Sequence, residues 1–200
     1  DDGSTDHTAQ IAQSYEPRIR VIAKPNGGVE QAANLGLREA AGEFVVRVDA
    51  DDRLNPAYLR TMVPALDATD AAFAYPEYET IGPDSQPIQA VELPDFDPSE
   101  IRSRGDFLAT GTLYRKSAVM QVGPYNESVT NCGLENYELI LRMLAGGLTG
   151  RSVHAMLFGY RLHGANMSST RRESIIEYGE RLASEFGLPR YTTNRYHPSG

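Results

Sequence analysis

The chain of 200 residues has one cysteine, Cys132, so no intramolecular disulfide can hold it together. It lacks any run of about 18 apolar residues, which excludes a membrane-spanning helix in this stretch. Its opening residues do not read as a secretory signal. It lacks a basic stripe as well. Lys and Arg number 19 against 27 Asp and Glu, for a formal charge of −8. That balance argues against a nucleic-acid backbone as partner. Internal repeats and low-complexity blocks are absent. What remains is a chain long enough for one α/β domain with a real core and too short for two. The lone cysteine fits a reducing compartment, and the expected setting is the cytoplasm.

The acid is concentrated. Asp1-Asp2-Gly3-Ser4-Thr5-Asp6 opens the chain, and Asp49-Ala50-Asp51-Asp52 follows directly on the apolar run Phe44-Val45-Val46-Arg47-Val48. Ligands of open α/β sheets bind outside the carboxyl ends of strands. Oxygen-only donors at such a point suit Mg²⁺ or Mn²⁺. In extended backbone, residues two apart face one way, so Asp49 and Asp51 can act together. The competing reading is a solvated, Asp-rich turn.

Read for organisation, the first part alternates helix and strand. Asp6 caps a helix to about Tyr15, with Ala9, Ile11, Ala12 and Tyr15 inward. Arg20 to Ala23 is a strand, Asn26-Gly27-Gly28 a turn, and Val29 to Ala40 a helix ended by Gly42. Phe44 to Val48 is a buried strand. Asn55-Pro56 starts a helix that runs to about Leu66. Ala71 to Tyr75, Tyr78 to Ile81 and Ile88 to Leu93 are strands, the last two joined by a turn at Gly82 to Pro87. Pro94 to Gly105 is a surface excursion. Gly111 to Arg115 is a strand, Lys116 to Val122 a helix, Asn136 to Ala145 an amphipathic helix, Met156 to Leu162 a strand and Arg171 to Phe186 a long amphipathic helix. The pattern predicts α/β with a largely parallel sheet flanked by helices and a β-rich second half. It predicts one domain over residues 1–187, a nucleotide half to about 75 and an acceptor half after it, then a polar tail over 188–200. Asp1-Asp2-Gly3 reads as the loop that leaves a strand, although no strand precedes it. The expectation is therefore a fragment, less stable than a chain carrying that strand.

In their order and spacing these stretches resemble the family 2 glycosyltransferases, which have the GT-A fold. The matching segments are Asp1 to Asp6, Asn26-Gly27-Gly28 with Ala33-Asn34-Leu35-Gly36, Asp49 to Asp52, Gly111 to Ser117, Glu135-Asn136-Tyr137-Glu138-Leu139, and Tyr160-Arg161-Leu162-His163 with Ser168. The resemblance covers about residues 1–170. Two departures stand out. The family starts some thirty residues earlier, with a strand and a helix, and it usually has an aspartate where this chain has Asn136.

The resemblance implies inverting, metal-dependent transfer of a sugar from a UDP-, dTDP- or GDP-sugar to a glycan or other hydroxyl acceptor. It implies Asp49 toward the ribose or metal, and Asp51 on a Mn²⁺ or Mg²⁺ ion bridging the diphosphate. Asp1 and Asp2 fall on its base-recognising loop, with Asp2 the preferred contact; a plain turn is the competing reading. Asn26 and Gly27 lie where backbone can approach a ligand at a helix start, and a hairpin-like turn explains them too. Asn34 reads as a packing residue. An inverting transfer needs a carboxylate to take the acceptor proton. An amide cannot do this, so Glu135, at the helix start, is the candidate base. Its other reading is an acid favouring the helix dipole. Glu138 reads as a solvated face. His163 ends a strand, either touching the metal or diphosphate or simply lying at the surface. Cys132 reads as a small buried residue. The Arg171–Phe186 helix suits peripheral membrane association at the inner face, but its mixed acids favour packing. The alternatives are a sugar nucleotidyltransferase-like nucleotide user and a non-catalytic nucleotide-binding or scaffold domain.

Overall fold

A computed structural model describes residues 1–104, 108 and 111–191, without the side chains of Arg104, Ser168 and Ser169. Helices α1 (Thr8–Gln13) and α2 (Val29–Glu39) precede strands β1 (Phe44–Val46) and β2 (Arg53–Leu54). Helix α3 (Tyr58–Asp67) leads to the long strand β3 (Phe73–Ile81), β4 (Pro87–Val91) and helix α4 (Pro98–Arg104). Then come β5 (Leu113–Arg115), α5 (Lys116–Val122), α6 (Glu135–Ala145), β6 (Gly150–Arg161), α7 (Met167–Thr170) and α8 (Arg172–Glu185). Gly105, the end of the expected excursion, and residues 192–200 of the expected tail lie outside the described residues, as does the Ser168 side chain.

The sheet is mixed rather than largely parallel. Its order is β1-β5-β3-β6-β2, with β4 beside β3. Only the β3–β6 pair is parallel; the β1–β5, β3–β5, β3–β4 and β2–β6 pairs run antiparallel. Alternation along the strands explains the layers. Phe73, Tyr75 and Tyr114 pack on one face against Val119 of α5 and Leu139 of α6. Ala74 and Leu113, one residue out of phase, pack on the other face against Tyr58, Met62 and Leu66 of α3. Each fully buried Val, Leu, Phe or Met among them contributes about 1.5–3 kcal/mol. A third cluster joins α6 to α8 through Tyr137, Leu141, Ile175, Tyr178 and Leu182. The apolar face of α8 is thus used within the protein, as its mixed acids favoured. No described helix is long and apolar enough to cross a membrane.

Several elements differ from the expected ones. The strands expected at 71–75 and 78–81 are one strand, β3, with Pro76 inside it. On one side, β3 pairs β5 at Phe73–Ala74 and β4 from Tyr78 onward, so Pro76 falls between two partners. The β3–β6 register also shifts just after it. A residue without an N–H is tolerated at such a break. Residues 20–23 form no strand; Asp1 alone pairs there, donating to Ile22 O and accepting from Lys24 N. Helix α1 buries no residue, and Ile11 and Tyr15, expected inward, are exposed. Helix α3 starts at Tyr58, because Asn55 Oδ1 accepts the Ala57 N–H in a turn before it. The excursion at 94–105 contains α4, capped by Asp97 Oδ1 on the Ser99 and Glu100 N–H groups.

His154, given no role from sequence, ties this excursion to the sheet. Its Nδ1 lies 3.1 Å from Glu77 Oε1 and its Nε2 2.8 Å from Asp95 Oδ1. Only the imidazolium donates from both nitrogens. The Asp95 and Glu77 hydrogen bonds accordingly raise its pKa above the usual histidine value. The sign follows: the tie is complete below the unfolded-state value and weakens as pH rises through the raised one. Protection of the amides of residues 95–97, measured as exchange relative to the intrinsic rate at each pH, is expected to fall across that window in the parent chain and to stay level in His154→Gln. Protection that is level with pH in the parent chain would contradict this assignment.

Candidate active site

The Asp49–Asp52 loop leaves the carboxyl end of β1, where Arg47 O still accepts the Gly111 N–H. Within the loop, Asp52 N donates to Asp49 O at 3.0 Å. The far end of β6 clamps it. Arg161 N donates to Asp52 Oδ1 at 2.9 Å, and Arg161 Nε donates to the Asp51 carbonyl at 2.6 Å. The same guanidinium reaches Gly82 O through Nη1. The loop is therefore held mainly through backbone and Asp52, which leaves Asp49 and Asp51 for other contacts.

Those two carboxylates diverge in partner. Asp49 is half-buried and takes both hydrogen bonds of an Arg47 fork, Nε to Oδ1 at 2.9 Å and Nη2 to Oδ2 at 3.2 Å. Burial pushes its pKa up most; Arg47 pulls it back, Glu135 and Asp51 add to the rise, and the balance lies above the usual carboxylate value. Asp51 is more open. Its Oδ2 lies 2.8 Å from His163 Nε2. The Ala165 N–H donates to His163 Nδ1, so in the neutral ring Nε2 carries the proton and donates to Asp51.

Glu135 opens helix α6 and is buried. Its Oε1 lies 2.7 Å from Arg47 Nη2. Arg47 thus joins Glu135 to Asp49. Burial opposes the guanidinium charge, but the Glu135 and Asp49 carboxylates outweigh it and hold Arg47 protonated well above the usual value. Glu138, one turn on, pairs instead with Arg142 at 3.7 Å. Glu138 is buried too, not on a solvated face, and burial raises its pKa. Asn136 accepts the Tyr125 hydroxyl at 2.8 Å, in a buried position. Asn34 packs as its mid-helix place suggested, bracketing Tyr125 with one bond to its carbonyl and one from its N–H.

The first acidic cluster sits at the start of α2. Asp2 Oδ1 accepts from Lys24 Nζ at 2.6 Å and Gly27 N at 3.0 Å; Oδ2 accepts from Gly28 N at 2.8 Å and Asn26 Nδ2 at 3.3 Å. Burial works against this carboxylate, yet the Lys24, Gly28 and Gly27 bonds outweigh it and hold its pKa below the usual value. Four donors fill its lone pairs. Asn26 and Gly27 thus serve Asp2 in this structure. Gly28 has φ +92°, and a Cβ there would lie 2.5 Å from Thr130, so only glycine fits. Asp1 accepts from the Ser4 N–H and hydroxyl. Asp2, Gly3, Ser4, Thr5, Asp6 and Asn26 line an open depression of about 640 Å³.

A buried bridge connects the two halves of the site. Glu30 of α2 accepts the Asn131 and Cys132 N–H groups at 2.8 and 3.1 Å, and Val29 N donates to Asn131 Oδ1. Cys132 Sγ lies 3.7 Å from Glu135 Oε2, and burial pushes its thiol pKa far up. Ligand atoms of Glu30, Cys132 and Glu135 come within 4.8 Å of one another. These groups are engaged by the protein's own donors and by Arg47, and the thiol stays protonated, so they fit a cation poorly. Asp51 fits one better. It is an oxygen donor on an accessible loop, and no bond to Oδ1 is formed among the described residues.

Comparison with known proteins decides the family. Residues 1–128 match the model of glycosyl transferase family 2. The chain belongs to that family. This glycosyltransferase-family chain is 27% identical over 190 residues to the uncharacterized glycosyltransferase YibD of Escherichia coli K12, covering 86% of this chain and 54% of YibD. It is 25% identical over 172 residues to the chondroitin synthase of Pasteurella multocida, covering 84% of this chain and 17% of the synthase. The chain thus spans about half of YibD and less of the synthase. Its fold matches Staphylococcus aureus TarS 1–349, solved in complex with UDP-GlcNAc, with a TM-score of 0.71 at 19% identity, over 92% of this chain and 55% of that one. That likeness establishes the GT-A architecture expected from the sequence.

Arg47 and Arg161 were the residues sequence reasoning missed. Arg47 had a signal: Arg47, Asp49 and Asp51 stand at alternating positions, and a charge inside an otherwise apolar strand needs a partner.

Proposed function

We propose that this chain catalyses an inverting, cation-dependent transfer of a sugar from a nucleoside diphosphate sugar to a hydroxyl acceptor. The observation that carries the reading is the ion-pair link from Glu135 through Arg47 to Asp49. It ties the one acid of the α6 start that faces β1 to the loop suited to the donor.

In this reading Glu135 takes the acceptor hydroxyl proton as the oxygen attacks the anomeric carbon. The bond from that carbon to the diphosphate oxygen breaks, and nucleoside diphosphate leaves. Asp49 receives the ribose, and Asp51 holds Mn²⁺ or Mg²⁺. When bound, the cation neutralises charge that grows on the leaving diphosphate. His163 Nε2–H orients Asp51 or donates to a phosphate oxygen. Asp2 shapes the base side by ordering Asn26, Gly27 and Gly28, and Asp1 holds the loop beside it; a base N–H would replace one of the four donors on Asp2. The UDP-GlcNAc bound by TarS supports a UDP-sugar among the UDP-, dTDP- and GDP-sugars, and the chondroitin synthase supports a glycan acceptor. Residues 1–187 act as one unit, with a donor half to about residue 75. A core cluster running from Ala72 to Phe158, against which Ala33, Leu37, Val45 and Leu54 of the donor half pack, supports this.

The experiment is product analysis with Mn²⁺, each donor and a panel of glycan acceptors. Nucleoside diphosphate and a new glycoside are expected. With pyrophosphate added as nucleotidyl acceptor, release of nucleoside triphosphate and sugar 1-phosphate would indicate nucleotidyl transfer, and donor binding without turnover a scaffold.

A further inference from the structure

Arg47 is the single cation in the run Phe44–Val48, and two carboxylates hold it through Nε and Nη2. Nε and Nη2 hold the two oxygens of Asp49, while Nη2 also meets Glu135 Oε1 at 2.7 Å. One nitrogen is therefore shared by two carboxylates from separate elements. The guanidinium carbon lies 5.7 Å over the Tyr125 ring, and Tyr125 is itself held by Asn34 and Asn136. Nη1 is buried with no hydrogen-bond partner among the described residues. A buried nitrogen without a partner is costly. What the arrangement secures is the fork on the other side.

A guanidinium is planar and presents its donors at fixed angles, so the place of one acid constrains the place of the other. An ammonium is a point charge on a flexible stem and imposes no such relation. With no cation between them, Asp49 and Glu135 would be two like charges in a poorly solvated space and would move apart.

We propose that Arg47 is a positioning residue for the transfer. Through Nη2 it sets the Glu135 carboxylate at a fixed place relative to the Asp49 loop. It contacts neither the acceptor nor the anomeric carbon. This rests on the reading of Glu135 as the base.

The test is a double-mutant cycle on kcat, with donor KM and thermal melting followed in parallel. The variants are Arg47→Lys, Glu135→Gln and the pair. Lysine keeps the charge and loses the fork. Arg47→Lys is expected to melt near the parent and to lose about 100-fold in kcat, the scale of an ångström-size misplacement. In the Glu135→Gln background the same change is expected to cost almost nothing more, since its effect passes through Glu135. Arg47→Gln supplies the second arm. It is polar and neutral, and its amide can donate to one acid but not hold both, so it should lose kcat to at least a similar degree in the parent and cost almost nothing more in the Glu135→Gln background. This arm decides the matter if Arg47→Lys fails to fold. Parent-like kcat in Arg47→Lys or in Arg47→Gln, or equal losses in both backgrounds of the cycle, would overturn the positioning role. Parent-like kcat in Glu135→Gln is a separate result: it would overturn the base assignment on which the proposal stands.

Discussion

Glu135→Gln should cut sugar transfer about 10²–10⁴-fold, the usual contribution of a general base, while donor affinity stays nearly unchanged. The amide keeps the shape of the side chain and gives up the charge that pairs with Arg47. It cannot take a proton from the acceptor. Donor affinity is preserved because Asp49 and Asp51 lie on another element, and Arg47 still holds Asp49 through Nε. The neighbouring position supplies the contrast. Asn136 stands where the family usually has an aspartate and accepts the Tyr125 hydroxyl in a buried position. An aspartate there can accept the same bond, so Asn136→Asp is expected to be neutral or activating. Full turnover in Glu135→Gln, together with a strong gain in Asn136→Asp, would show that the base is not Glu135.

Asp51→Ala should abolish Mn²⁺-dependent nucleotide binding and leave the fold intact. The second half of this expectation comes from how the loop is held. Arg161 bonds the Asp51 carbonyl, the Asp52 carboxylate takes Arg161 N–H, and Asp52 N donates to Asp49 O. None of these needs the Asp51 side chain. What alanine removes is the carboxylate facing His163, the loop's accessible oxygen donor. Calorimetric titration of the nucleoside diphosphate, with and without Mn²⁺, reads the effect, and a melting curve controls for folding. Undiminished Mn²⁺-dependent binding would place the cation elsewhere.

The helices and the acidic loops were legible because local rules govern them. The turn at Asn26-Gly27-Gly28 and the stop at Gly42 marked α2, apolar spacing marked α6, and the run before Asp49 marked β1. Less legible was whatever depends on a partner far along the chain. Pro76 argued for two strands, and only the break between β5 and β4 beside it explains one. The amino end of β6 carries Arg151, Ser152 and His154 on partly open faces, so its apolar run begins well inside the strand. Helix α4 carries the same cap-then-proline signal at Asp97-Pro98 as Asn55-Pro56, set within an acidic, proline-rich stretch that masks it. At the site, residue types told which acids matter but not who neutralises them. That Arg47 serves Asp49 and Glu135 together, and that four donors fill Asp2, follows from tertiary approach alone.

The most direct test of transfer itself is the anomeric configuration of the product, read by NMR during turnover of a nucleoside diphosphate sugar with Mn²⁺. The account predicts one nucleoside diphosphate released for each glycoside formed, with the configuration at the anomeric carbon inverted. A glycoside of retained configuration, or sugar 1-phosphate as product, would contradict it.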